Sequence, residues 1–326
     1  MEYRRIVKSG NTSYVISVPQ KWVREQEIKK GDLLSIEESR EHNLIISPRE
    51  IKGKVELREA RINAEETSPE MLVRSLVSAY INGYSSVEIR GKNLNQLSKE
   101  IRATMEQLIA FEIMEYTPER IYIKDYLKID EISIDSLIRK MDSGIKSMIA
   151  ECSSALSSFI PDKNPNRMKA CFESLENMDR NINRLSFLAS KIIRKSLYEP
   201  ATARMLGLLP LNLLIINKVM ESLENIGDNI KNLARNFEQD TPREEAKFIA
   251  EALKNAMENY NECMKSYFSS DKMLSNRVSD EKHMLRKKNE EFVRKKRHSG
   301  TIRAIERIQA LESFIGVISR TVIDVV

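Results

Sequence analysis

Aromatic residues and glycine are scarce in this sequence. Only 6% of its 326 residues are aromatic, and ten are glycine. Charged residues make up 31% and hydrophobic residues 41%, so the chain is too apolar for a disordered protein. This balance predicts a folded protein dominated by helices, with a length that suits two or three domains of about 100–200 residues.

Cysteine is scarce as well, and long apolar runs are missing. The three cysteines lie far apart, at Cys152, Cys171 and Cys263. Their spacing fits neither a metal site nor a disulfide framework, so we expect a reducing compartment. The first residues lack the apolar core of a signal peptide. The most apolar run, residues 205–216, is shorter than the ~20 residues of a membrane helix. We therefore expect a cytoplasmic protein without membrane insertion.

Histidine is rare enough to exclude one class of enzyme. The chain has only His42, His283 and His298. Di-iron oxidases in helical bundles use Glu-x-x-His motifs that face the bundle interior, and none of the three histidines stands in such a motif. We predict that the protein is not an enzyme. A lone histidine on a charged helix is more often a surface residue than a ligand, and we interpret His283 in this way.

The net charge of +5 is distributed unevenly. Residues 271–298 hold ten Lys or Arg against five Asp or Glu, and residues 1–24 hold five against one. Both segments are candidate surfaces for an acidic partner. For the run at residues 286–298, a solvated helix face with internal Glu–Lys pairs is the alternative to nucleic-acid binding.

Residues 1–50 have the alternating pattern of strands. Strands are predicted at residues 3–8, 14–19, 33–38 and 44–47, around one short helix at 21–27. These elements form two hairpins. So small a unit buries too little apolar surface to be stable alone, so we expect a homodimer in which two copies share one β-barrel.

Residues 52–130 predict a small α/β domain. Strands are expected at residues 54–62, 85–91, 111–117 and 120–127, and helices at 68–84 and 95–111. The first helix has boundary signals in Ser68 as N-cap, Pro69 at the first helical position and Gly83 at the end. The domain has no histidine, no cysteine and no glycine-rich phosphate loop, so we interpret it as a spacer or docking domain.

From about residue 132 onward the pattern is helical. Six segments are predicted, at residues 133–160, 165–197, 201–238, 243–269, 271–298 and 300–326. Long helices joined by short loops indicate antiparallel neighbours in a bundle. The predicted fold class is therefore a multidomain α+β protein with a mainly helical C-terminal region.

Two helical segments share an acidic pattern. Residues 174–185 and 222–233 are identical at seven of twelve positions. In the later segment the apolar stripe consists of Leu223, Ile226, Ile230 and Leu233. Glu224 and Asp228 lie together beside this stripe at i, i+4, and Asn232 continues their row. In the earlier segment the residues expected beside the stripe are Glu176, Asp179 and Asn183. These oxygen ligands suit a hard or borderline cation, and a solvated polar face is the alternative.

The sequence around these acids resembles the PhoU family. Residues 220–236 are similar to the family signature, residues 179–185 to its Asp-rich motif, and residues 302–320 to the signature of the second half. The resemblance implies two three-helix bundles in tandem, at 132–240 and 241–326. It implies that the acidic motifs bind Fe, Zn, Mn or Mg ions and that the protein down-regulates phosphate uptake or phosphate signalling.

The resemblance also implies a set of metal ligands. In the first half these are Glu176, Asp179, Glu224, Asp228 and Asn232, and in the second half Asp280 and Glu306. The second half departs from the family pattern. Gln309 and Ala310 replace Gly-Asp, and Met284 stands where an acid is expected. We therefore expect metal at one site per pair of bundles.

Residues 9–38 resemble the AbrB-type swapped-hairpin domain, which archaeal PhoU-like regulators carry ahead of an α/β segment and the helical bundle. The resemblance implies a homodimer that binds DNA. The DNA-facing candidates are Arg4, Arg5, Lys8, Asn11, Thr12 and Ser13. The expected protein partner is a phosphate transporter ATPase subunit or a signalling protein. The alternative is a dimeric adaptor that does not bind DNA and regulates a phosphate ABC transporter through protein contacts.

Overall fold

The computed structural model describes residues 3–38, 43–48, 58–162, 165–238, 240–294 and 298–324, in two compact units, Met1–Leu57 and Arg58–Val326. The elements of the N-terminal unit are β1 (Val7–Ser9), β2 (Ser13–Val15), α1 (Gln20–Glu25), β3 (Leu34–Glu38) and β4 (Leu44–Pro48). Strands β1 and β2 form one antiparallel hairpin, and β3 and β4 form another. The two predicted hairpins and the short helix are therefore confirmed.

The strands of the first hairpin are shorter than predicted. Strand β1 begins at Val7 rather than at residue 3, and β2 ends at Val15 rather than at residue 19. The turn between them contains Gly10 at φ +73°, a conformation that glycine adopts without steric cost. Pro19 stands directly before α1. Because proline has no backbone N–H, it cannot donate a hydrogen bond to a strand ladder. Most of the turn predicted at 40–43 lies outside the described residues.

The second unit begins with a four-stranded sheet and two helices. Its elements are β5 (Glu59–Asn63), α2 (Pro69–Ile81), β6 (Ser86–Arg90), α3 (Ser98–Met105), β7 (Phe111–Tyr116) and β8 (Arg120–Asp125). The strand order is β5-β6-β8-β7; β5 and β6 are parallel, and the other pairs are antiparallel. A separate apolar core holds the two helices on the sheet. This agrees with the predicted α/β layer.

Local signals explain one helix of this domain and correct the other. Ser68 Oγ accepts a hydrogen bond from Met71 N–H at 3.2 Å and caps α2, as predicted. The helix predicted over residues 95–111 is too long, since α3 ends at Met105. Ala110 has φ +60° and turns the chain, so that Phe111 enters β7 as a buried residue. The strand predicted from residue 54 begins at Glu59, and residues 54–57 lie outside the described part.

Long helices fill the rest of the chain. They are α4 (Ile134–Asp162), α5 (Pro165–Tyr198), α6 (Pro200–Met205), α7 (Pro210–Asn236), α8 (Arg243–Ser269), α9 (Lys272–Val293) and α10 (Ser299–Ile323). Helices α4, α5 and α7 pack on one another, and so do α8, α9 and α10. Contacts between α7 and α10 and between α4 and α8 join the two groups, which share one continuous apolar core.

The segment predicted as one helix over residues 201–238 is two helices. Gly207, at φ +67°, ends the turn after α6, and Pro210 occupies the first position of α7. Leu209 N–H donates to Asn212 Oδ1 at 2.9 Å and closes the start of α7. Within the described residues, no helix is both long and apolar enough to span a membrane.

The α/β domain is docked on α5 through a buried lysine. Lys191 is 1% exposed, and its Nζ lies 2.7 Å from Asp125 Oδ2. The same ammonium lies 4.2 Å from the centroid of the Tyr80 ring, a cation–π distance. One turn further, Arg194 donates to Asn82 Oδ1 at 2.8 Å. Burial lowers the pKa of Lys191, while the charge of Asp125 opposes that shift.

Candidate functional site

A charged cluster lies where α5 packs against α7. Helix α5 contributes Asp179, and α7 contributes Glu224, Asp228 and Lys231. The spacing i, i+4, i+7 places the three residues of α7 on one helix face. The predicted apolar stripe of α7 is confirmed, because its four residues, Leu223, Ile226, Ile230 and Leu233, are buried. The stripe fixes the rotation of α7 and directs the charged row toward α5.

Lys231 bridges the two helices. Its Nζ lies 2.6 Å from Asp179 Oδ2 on α5 and 2.6 Å from Asp228 Oδ1 on its own helix. Asn183 also donates to Asp179 Oδ2, at 3.2 Å. Lys231 was not among the predicted site residues, because its role depends on the register of α7 against α5. The sequence does contain a lysine three residues after Asp228, but this spacing of an acid and a lysine is common on any exposed helix face.

The other oxygen of Asp179 is in a different situation. Asp179 Oδ1 is buried and has no hydrogen-bond partner among the residues that the structure describes. It points toward Gly227, where an added Cβ would lie 3.8 Å from this oxygen. The same Cβ would lie 3.2 Å from Ile145 Cδ1, so a glycine at this position lets α7 approach closely. Asp179 therefore has one oxygen engaged by Lys231 and one open acceptor.

The pKa shifts follow from burial and from the neighbouring charges. Burial raises the pKa of Asp179, while the hydrogen bond and charge of Lys231 oppose that rise. Burial also raises the pKa of Glu224, and the charges of Asp228 and Asp179 raise it further. Burial alone would lower the pKa of Lys231, but its hydrogen bonds to Asp179 and Asp228 outweigh this and raise it.

The cluster has more negative than positive charge. Its three carboxylates contribute −3 and its ammonium +1, which leaves −2 when all four groups are ionised. Oxygen donors from two helices and an unpartnered Asp179 Oδ1 fit a hard or borderline cation. The Glu224 carboxylate and Asp179 Oδ1 are the donors that Lys231 leaves free for it.

The other predicted ligands of the first half occupy different environments. Asp179 was expected beside the apolar stripe, but it is buried because α7 covers it. Glu176 is exposed, and its carboxylate lies 3.6 Å from Arg180 on the same helix. Asn232 is half-buried, one turn beyond Asp228. The structure thus brings together Asp179, Glu224 and Asp228, and it pairs Glu176 with a surface arginine.

The second half has a buried acid at a position that was not predicted. Asp280 and Glu306 are both exposed, whereas Glu312 on α10 is 1% exposed. Asn289 Nδ2 lies 3.5 Å from Glu312 Oε1. Burial raises the pKa of Glu312 to about 7, although the charge of Lys282 opposes the rise. The sequence could have indicated that Glu312 is buried. It stands four residues after Ile308 and three residues before Ile315, which are both buried on α10.

Among the described residues, one group outside this cluster is alone in bringing three possible ligand atoms to the mutual distances of a metal site. Ligand atoms of Glu238, Asp240 and His298 all lie within 4.8 Å of one another. His298 Nδ1, however, accepts the N–H of Thr301 at 3.3 Å and caps α10. A neutral ring with that acceptor holds its proton on Nε2, which faces the two carboxylates. Arg303 also pairs with Glu238. Together these contacts join the segment between α7 and α8 to the start of α10.

The DNA candidates surround the first hairpin of the N-terminal unit. Arg4 and Arg5 precede β1, and Arg4 donates to Ser17 Oγ at 2.9 Å. Lys8 is exposed and stands opposite Tyr14 in the ladder. The other candidates lie in the turn and at the start of β2 and are all exposed, namely Asn11, Thr12 and Ser13. Five of the six candidates are therefore exposed along the first hairpin, and Arg4 is half-buried.

Comparisons of the chain with models of protein families, with curated proteins and with solved structures found no match.

Proposed function

We propose that the protein is a regulator of phosphate uptake or phosphate signalling. In this proposal it acts as a homodimer through residues 1–50, and the homodimer binds DNA. The helical region binds a divalent or iron-type cation at the cluster of Asp179, Glu224 and Asp228 and contacts a phosphate transporter ATPase subunit or a signalling protein. The resemblance to PhoU and AbrB-type sequences supports the biological role, and the following observations support the physical parts.

The observation that carries the proposal is the exposure of apolar side chains in the N-terminal unit. None of the described residues from 3 to 48 is buried. Large exposed side chains occur on every strand, including Val7 at 58%, Tyr14 at 64%, Ile36 at 63% and Leu44 at 69%. A folded unit that exposes this much apolar surface requires a partner surface, and a second copy supplies an equivalent one.

The DNA part is tested by fluorescence anisotropy with promoter-length duplex DNA at several salt concentrations. We expect binding that weakens steeply with salt, because Arg5 and Lys8 would contact phosphates. Substitution of both by Gln should weaken binding to all sequences alike and reduce the salt slope. Replacing Lys29 and Lys30, which lie after α1, provides the charge-matched control. Absence of binding even at low salt would favour the adaptor function.

The cation part is tested by elemental analysis of metal-stripped protein reloaded with Fe, Zn, Mn or Mg. The double variant Glu224→Ala, Asp228→Ala should lose the uptake seen in the native chain. A matched double variant at the exposed acids, Asp280→Ala with Glu306→Ala, separates this cluster from the one predicted in the second half. Uptake that is equal in the native chain and in the Glu224/Asp228 variant would contradict the proposal.

One surface favours the adaptor as the second candidate. A groove of about 270 Å³ lies between α7 and α10. Its walls include Leu211, Leu214 and Val317, which are 56%, 54% and 40% exposed, and Lys218 and Arg320 lie beside them. Asp324 lines the groove as well, and apolar side chains rimmed by charged residues are typical of a site for protein contacts. Leu211→Asp with Leu214→Asp should abolish partner capture and leave DNA binding unchanged.

A further inference from the structure

Lys231 occupies the position between α5 and α7 at which a cation would join the two aspartates. We propose that Lys231 is the internal counter-ion of this cluster and that it lowers the affinity of the cluster for divalent cations. This inference rests on the cation site in the proposed function. It adds that Lys231 determines how strongly the site binds a cation. Because Lys231 already joins the two helices, it also implies that the native fold does not require metal.

The contacts of Lys231 carry the first step. Its ammonium lies 2.6 Å from Asp179 Oδ2 and 2.6 Å from Asp228 Oδ1, so it joins α5 and α7 as a bridging metal ion would. Its side chain is 19% exposed and that of Asp179 is 6% exposed, so water screens this pair only weakly. A charge-assisted contact of this length is a strong one. A divalent cation that took the same two oxygens would have to displace the ammonium.

The oxygens that Lys231 leaves free carry the second step. Asp179 Oδ1 is buried without a hydrogen-bond partner among the described residues, and Glu224 lies one turn before Asp228 on the same face of α7. A cation bound to these donors would stand beside the lysine ammonium, and the two like charges would repel each other. Without the ammonium, the three carboxylates of the cluster would carry a charge of −3 with no internal counter-ion, which attracts a divalent cation more strongly.

The variant Lys231→Gln separates the two cations. In metal-free protein it leaves Asp179 buried without a counter-ion, so the midpoint of thermal unfolding should fall below that of the native chain. Mn²⁺, which prefers oxygen ligands, should restore the midpoint in the variant and have little effect on the native chain. By calorimetric titration, the affinity of the variant for Mn²⁺ should exceed that of the native chain by at least about tenfold.

Two control variants of the full chain accompany the measurement. Arg235→Gln removes one positive charge from an exposed position one turn further along α7, and it should behave like the native chain. Lys231→Arg keeps a cation in the cluster and should bind Mn²⁺ as weakly as the native chain. Adding Glu224→Gln to Lys231→Gln should lower the gained affinity, which locates the bound ion in the cluster.

Each outcome decides between the two claims. Equal Mn²⁺ affinity in the native chain and in Lys231→Gln would overturn the role of Lys231, even if the native chain binds metal. Binding by the variant alone would support Lys231 as counter-ion and contradict cation binding by the native protein. If Lys231→Gln does not fold without metal, refolding with Mn²⁺ becomes the measurement. Recovery of the helical circular dichroism signal then supports the proposal, and no recovery overturns it.

Discussion

The two halves of the helical region each bury two acids, and one acid in each half, Asp179 and Glu312, shows a different means of stabilisation. In the first half, Lys231 contacts Asp179 at 2.6 Å, so the carboxylate has a counter-ion. In the second half, Glu312 Oε2 has no hydrogen-bond partner among the described residues, and the pKa of Glu312 rises to about 7. The lysine in contact with Asp179 opposes the rise that burial causes in the pKa of that acid, whereas Glu312, which has no such contact, takes up a proton near neutral pH.

The largest effect is expected from Lys231→Met, which makes the first half resemble the second. Removal of one partner of a buried ion pair typically costs about 3–5 kcal/mol. We expect a loss in the free energy of unfolding near the lower end of this range, because the side chain of Asp228 is 40% exposed and remains hydrated. Urea unfolding followed by circular dichroism measures it. A loss no larger than that of Arg235→Met would show that the pair contributes nothing.

Glu312→Gln tests the second half through pH. Because the folded-state pKa of about 7 lies above the ordinary value of 4.5, the native protein binds the proton more tightly than the unfolded chain. The contribution of Glu312 to the free energy of unfolding is therefore fully present at low pH, and it is lost as pH rises from about 4.5 to about 7. The difference amounts to about 3 kcal/mol. The variant should unfold at a higher temperature than the native chain at pH 8 and at a similar temperature at pH 5.

The control for this pH effect is Glu306→Gln, which removes the same charge from an exposed position of the same helix. Its unfolding temperature should differ from that of the native chain by a similar small amount at pH 5 and at pH 8. An unfolding temperature of Glu312→Gln that differs equally from the native value at both pH values would refute the raised pKa of Glu312.

A double variant tests whether Asp179 and Lys231 act as a pair. Asp179→Asn with Lys231→Met removes both charges, so no buried group is left without a counter-ion. We expect the double variant to be more stable than Lys231→Met alone by about 1–3 kcal/mol, since contacting residues are not additive. A double-mutant cycle of urea unfolding free energies gives this coupling. Strict additivity of the two single losses would show that the 2.6 Å contact has no energetic effect.

The smallest expected effect distinguishes two glycines of the helical core. An alanine at position 227 would place its Cβ 3.2 Å from Ile145 Cδ1, in a packed interface. An alanine at position 316 would approach the flexible end of Lys282, which can move aside. Gly227→Ala should therefore destabilise the protein by about 1 kcal/mol, whereas Gly316→Ala should be nearly neutral. Thermal unfolding of both variants checks this order, and equal values would contradict it.

Periodicity was sufficient for most of the elements and for the burial of α7, but not for several element ends or for the charged cluster. The apolar spacing of Leu223 and Ile226 fixes which face of α7 is buried, and that face was predicted. The burial of Asp179 depends on how far α5 is shifted along α7, and no local pattern encodes that shift. Gly207 and Pro210 indicate the break between α6 and α7, but the apolar run around them led to the prediction of a single helix.

Helix α5 connects the charged cluster to the α/β domain. It is one uninterrupted helix of 34 residues, and it carries both Asp179 and the docking residue Lys191. These positions are twelve residues apart, about 18 Å along the axis. Because both residues belong to one continuous helix, we expect a displacement of α5 at Asp179 to be passed on to Lys191 and to the sheet that is docked there.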